Sequence, residues 1–195
     1  MADFWLTGNP DADALLARND NALLCGMLLD QQVTMEKAFS GPAVLAERMG
    51  GFDVAKIAAL PADEFVAIAS VAPAIHRFPG SMGTRLHQLC TVLVDEWDGE
   101  AANLWRGPDG ALVDGATVLK RLKALPGFGQ QKAQIFLAML GKTRGLHLPG
   151  WQQSAGDYGQ PGFRSAADIS DPESLAKVRA TKKEAKAAAK AAKLG

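Results

Sequence analysis

Cysteine is scarce in this chain of 195 residues: Cys25 and Cys90 are the only two, alongside three histidines and one tyrosine. Two thiols cannot build a disulfide framework, and their wide separation in sequence does not fit a zinc ribbon. The histidines, His76, His87 and His147, have neither His-x-x-x-His spacing nor a cysteine partner, so no metal-ligand set is indicated. No apolar run approaches the ~20 residues of a membrane span, so a membrane is not an expected partner. Met-Ala-Asp-Phe-Trp at the start has no basic stretch before an apolar one, which predicts no secretory signal and a cytoplasmic location, at the nucleoid if the source is bacterial. Net charge is zero, so composition alone favours no polyanionic or polycationic partner. There is also no Gly-Lys-Ser/Thr of a P-loop and no third glycine of a dinucleotide fingerprint.

What is present is helical periodicity. Leu15 and Leu16 follow Asp11; the stretch from Ala22 to Leu29 is apolar almost all round and reads as buried. Thr34 to Met49 carries an apolar face of Phe39, Val44, Leu45 and Met49, with Gly41-Pro42 predicted to kink or break it. Further helical stretches cover Asp53 to Ile57, Pro61 to Ala69 and Thr84 to Trp97. Turn signals at Gly50-Gly51, Ala72-Pro73, Phe78-Pro79-Gly80 and Gly107-Pro108-Asp109-Gly110 separate them. The prediction is an all-α fold of roughly eight to ten helices. A helical domain over residues 1–175 precedes a basic Ala/Lys-rich tail over 176–195, which carries +6 and leaves −6 elsewhere. That tail reads either as a solvated helix or as an arm that follows phosphates, disordered when free.

The most informative segment is Leu125-Pro126-Gly127-Phe128-Gly129-Gln130-Gln131-Lys132-Ala133, a Pro-Gly-x-Gly turn between two helical patterns, over about 117–140. Glycines let backbone approach a ligand closely, and the first N–H groups of the following helix present positive dipole ends to an anion. A plain connector between packed helices is the alternative. Upstream, Leu28-Leu29-Asp30-Gln31-Gln32-Val33-Thr34 ends an apolar helix in two amides, which offer donors and acceptors without charge.

In these two segments the chain resembles the helix-hairpin-helix DNA glycosylases of base-excision repair, the HhH-GPD superfamily. The match runs residue by residue from Leu125 to Ala133 and extends in order over about residues 20–150. The resemblance implies two packed helical lobes and a partner in double-stranded DNA; a monomer is expected. It implies that Gly127, Phe128, Gly129, Gln130, Gln131 and Lys132 grip the DNA backbone, with a structural monovalent cation possible at the hairpin. It places Gln31 and Gln32 in the gap left by an extruded base. Trp151 and Tyr158, with Phe163 near them, are candidates for contact with that base, and Arg77 and Arg85 for phosphate. His76 is a candidate titratable member of the site. No other cofactor is expected, because the iron–sulfur loop of many relatives needs four cysteines.

The chain departs from the family at two catalytic places. Bifunctional members carry a Schiff-base lysine two residues beyond the second hairpin glycine, where this chain has Gln131; Lys132, next to it, reads as a phosphate contact or a surface charge. The family's catalytic aspartate falls at Pro149. Asp30 and Asp157 are the nearest carboxylates, with helix capping and turn formation as their respective alternatives. The resulting expectation is a monofunctional DNA glycosylase without lyase activity that flips and excises a damaged or mismatched base. The alternative is a non-catalytic, lesion-sensing relative.

Overall fold

The computed structural model describes residues 4–192. Ten helices follow one another: α1 (Pro10–Arg18), α2 (Asp20–Leu29), α3 (Met35–Met49), α4 (Val54–Ala59), α5 (Ala62–Ser70), α6 (Pro79–Trp97), α7 (Gly115–Ala124), α8 (Gln130–Lys142), α9 (Trp151–Ser154) and α10 (Pro172–Ala192). Short 3₁₀ turns lie at Ala101–Trp105, Gly156–Gly159 and Ala166–Asp168. Among the described residues there is no strand, only an isolated antiparallel bridge between Arg106 and Leu112. The fold is therefore all-α.

Sequence sets most of the helix starts. Asn9, Asn19, Thr34, Asp53 and Asp114 each accept backbone N–H bonds at the first turns of α1, α2, α3, α4 and α7, contributions of about 1 kcal/mol apiece. α6 begins five residues earlier than its apolar stripe predicts, because Pro79 occupies its first turn, where a missing N–H costs nothing. α3 also differs: it runs uninterrupted through Gly41-Pro42. A Cβ on Gly41 would sit 2.5 Å from Leu29 Cδ1, so the glycine lets α3 lie close against α2. Packing against a buried neighbour holds the helix together across the proline.

α2 is the centre of the molecule. Every residue from Ala22 to Leu29 is buried, and α2 packs against α1, α3, α6 and α8. On one side α4 and α5 pack against α6; on the other, α7, α8 and α9 pack together. Cys25 and Cys90, distant in sequence, meet in this core. The Cys90 thiol is pushed well up by its hydrogen bond to Cys25 and by burial, which leaves it a packing group and not a nucleophile.

α10 crosses the boundary expected at residue 176. It is helical from Pro172, with Leu175 and Val178 buried and Arg179 paired with Glu36 of α3. Lys177 lies 4.8 Å from the Phe163 ring centroid. The first half of the basic segment is thus an integrated helix and not a free arm; Lys193 to Gly195 lie outside the described residues.

Candidate nucleic-acid interface

The hairpin is built from the end of α7, the turn and the start of α8. The Leu125 and Phe128 amides close the turn by donating to Leu122 O and Leu125 O, both at 3.1 Å. Gly127 has φ +77°, and a Cβ there would stand 2.5 Å from Leu28 Cδ1, so backbone conformation and contact with α2 both demand glycine. Gly129 is different. It has φ −86°, and no atom lies within 4 Å of where its Cβ would be. As N-cap of α8 it offers no side-chain acceptor, so the first amides of that helix, at Gln130, Gln131 and Lys132, keep unmet N–H groups at the positive end of the dipole.

The structure separates the hairpin residues by role. Phe128 is a correction to its expected backbone contact: its side chain is buried edge-on to Phe136, with ring centroids 6.3 Å apart, and its amide is consumed inside the turn. Lys132 is neither a surface charge nor an outward phosphate contact. Its Nζ donates to Leu28 O at 2.6 Å, placing a cation at the C-terminus of α2. Burial holds its ammonium down to about 8, with Asp30 opposing that shift and Arg85 adding to it.

Across from the hairpin, α2 ends at Leu29 and the chain turns. The Gln31 amide donates to Leu29 O at 2.8 Å, and Gln32 takes the left-handed φ of +56°. The two glutamines are thereby distinguished. Gln31 is folded back, with Nε2 2.7 Å from Met82 Sδ, whereas Gln32 is exposed and makes no side-chain hydrogen bond among the described residues. His76 braces this turn from the α5–α6 loop. Its Nδ1 accepts from Phe78 N at 3.0 Å, so Nε2 carries the proton and donates to Gln31 O at 2.9 Å. Buried and engaged at both nitrogens, His76 is a strut that holds the Gln31 turn.

Between turn and hairpin lies a cleft of about 1010 Å³. Asp30, Gln31 and Gln32 form one wall, Gln130, Gln131, Lys132 and Gln134 a second, and Asp157, Tyr158 and Arg164 a third. α10 adds Thr181, Lys182 and Ala185. Both candidate carboxylates reach it. The Asp30 carboxyl is raised above 3.8 by burial, with Lys182 and Lys132 opposing the rise, while Asp157 is exposed in its 3₁₀ turn. The Tyr158 hydroxyl accepts from Gln131 Nε2 at 2.8 Å.

Trp151 stands apart, a correction to its reading as a base contact. Its ring covers Gly141 of α8, where a Cβ would lie 2.4 Å from the indole, and its backbone presses on Gly115 of α7. It is a spacer between the hairpin helices. Pro149 is structural as well, its carbonyl accepting from Gly115 N at 2.8 Å. Arg77 and Arg85 are exposed: Arg77 lies 4.7 Å from the Phe78 centroid, and Arg85 Cδ lies 3.9 Å from the Cβ position of Gly127, beside the hairpin.

Sequence reading missed Lys182 and Arg164 as cleft residues, and gave Lys132 a backbone grip or a surface charge instead of a place in the cleft wall. Lys132 was legible, since it sits four residues before Phe136 and hence on the buried face of α8; Lys182 and Arg164 arrive by tertiary packing alone. The fold and site define an α-helical protein with an uncapped helix start and an amide-rich cleft. No family model, curated protein or solved structure matches the chain.

Proposed function

We propose that this is a DNA-binding base-excision protein of the HhH-GPD type, with two helical lobes meeting at α2, acting as a monofunctional glycosylase that flips a damaged base and hydrolyses its N-glycosidic bond. One observation carries the reading: the exposed, uncapped start of α8, behind a turn with positive φ, opens beside a cleft that also receives Gln32 and the partly desolvated Asp30. The α8 amides suit a phosphate and Gln32 suits the gap in the stack. Asp30 suits the charge that develops at the sugar, because an ionised carboxylate facing the anomeric carbon stabilises an oxocarbenium-like state and orients water. Water adds to that carbon as the base departs.

The Pro126, Gly127 and Phe128 carbonyls accept no protein hydrogen bond among the described residues. Free carbonyl oxygens are suitable donors for a hairpin monovalent cation, which would brace the turn. Lys132 does not serve as a nucleophile in this reading, because its Nζ is tied to Leu28 O at the end of α2. Duplexes with uracil, alkylated purines, oxidised purines or mismatches test the proposal. At least one should yield alkali-sensitive abasic sites, with no break without alkali and no borohydride adduct. An adduct would overturn the monofunctional assignment and make Lys132 the suspect. The second reading, a lesion sensor, is favoured by Pro149 in place of the family's aspartate, and tight lesion binding with no abasic product would establish it.

Under the same proposal the outer face of α10 follows phosphates. Lys183 and Lys186 are exposed. The double change Lys183→Gln, Lys186→Gln should lower the slope of log affinity against log salt by up to about 2, at roughly 0.9 for each phosphate no longer neutralised. Lesion preference should stay unchanged, since phosphate contacts position without specifying. An unaltered slope in a salt titration would show that α10 does not touch DNA.

A further inference from the structure

Two properties of the cleft select among bases: its charge and its shortage of aromatic faces. Lys132, Lys182 and Arg164 line it against the carboxylates Asp30 and Asp157, so cations outnumber anions, and Lys132 and Lys182 both act on Asp30. Tyr158 is its one aromatic ring among the described residues, and that ring is half-buried with its hydroxyl tied to Gln131. Trp151 covers Gly141, and Phe163 lies beneath Lys177.

A cationic base, such as a ring-alkylated purine, is best held between electron-rich rings, where cation–π attraction acts. It leaves the sugar as a neutral molecule and needs no help with departing charge. A neutral base leaves as an anion, and positive groups aimed at that charge lower the barrier. The cleft supplies the second arrangement and lacks the first. Its amides at Gln31, Gln32, Gln130, Gln131 and Gln134 add donors for exocyclic carbonyl oxygens.

Resting on the glycosylase reading above, we infer that the cleft takes neutral, carbonyl-rich bases, the products of deamination or oxidation, and rejects cationic alkylated purines. The hydrolysis balances without a further reactant. Water forms the new C–O bond at the anomeric carbon, the C–N bond breaks with its electron pair going to the base, and the proton lost by water finally rests on the base. Lys182, on an exposed face of α10, supports the departing anion electrostatically.

Single-turnover base release by the full chain tests this on duplexes carrying uracil, hypoxanthine, oxidised guanine or N7-methylated guanine, each against its spontaneous loss. At least one of the first three should be released, with N7-methylguanine at background. Lys182→Met should slow release of the neutral base by about tenfold or more and leave N7-methylguanine at background. Preferential release of N7-methylguanine would overturn the inference while sustaining the glycosylase reading. An unchanged neutral-base rate in Lys182→Met would also overturn it, by removing its electrostatic basis. Release from no duplex would instead bring down the glycosylase reading itself, a result distinct from either.

Discussion

Asp30→Asn should reduce base release by about 10²–10⁴-fold and leave duplex affinity nearly unchanged, whereas Asp157→Asn, at an exposed turn, should cost far less. The distinction follows from environment. Asp30 is desolvated at the end of α2 and carries a raised pKa, opposed by Lys182 and Lys132. An ionised carboxylate is the working form, so wild-type rate should fall on acidification at a pH above that of an ordinary aspartate. On the alkaline side the rate should fall near pH 8, as Lys132 loses the charge that is held down to about 8. Stability moves in the opposite sense. A carboxyl with a raised folded pKa contributes stability that is complete below its unfolded value and lost as pH rises through the folded value. At neutral pH the asparagine variant therefore gains through this group, partly offset because Asp30 no longer holds up the Lys132 ammonium. Loss of activity with no drop in thermal midpoint marks a functional acid. Full activity in Asp30→Asn, or abolition in Asp157→Asn instead, would remove Asp30 from the mechanism.

Much of this arrangement was legible because local rules and tertiary packing agree. The apolar run Ala22 to Leu29 predicted a buried helix, and α2 is one, packed on several sides. The Gly127 turn was legible from Pro-Gly-x-Gly, since few other sequences support its φ. Errors fell where a residue's role depends on a distant partner. Gly41-Pro42 was expected to kink or break α3, yet the fit of Gly41 against Leu29 keeps the helix whole. Trp151 read as a recognition aromatic by its neighbourhood in sequence, but the glycines at 115 and 141 that receive it are distant in sequence. The tail was split at residue 176 by its composition, while Val178 is buried and Arg179 pairs with Glu36 of α3. No local pattern states that Lys182 faces Asp30.

Gly129→Val should weaken duplex binding by about 10–100-fold, the loss of one or two charge-assisted amide contacts, in a protein that loses no more than about 1 kcal/mol of stability, the cost of a β-branched residue at an N-cap. Gly127→Val should behave differently, losing about 2–4 kcal/mol of stability through its left-handed backbone and its collision with Leu28. The contrast isolates function from folding. Valine accepts the φ and ψ of residue 129, and nothing in the chain lies within 4 Å of the new Cβ, so packing makes no demand for a glycine there. An approaching phosphate does, because a branched side chain at the N-cap of α8 would stand in front of the free amides of Gln130 and Gln131. Thermal unfolding fixes the stability arm and a salt-titrated binding isotherm fixes the affinity arm. Undiminished affinity in a fully folded Gly129→Val protein would reduce the hairpin to a connector between α7 and α8, and the DNA reading would lose its main support.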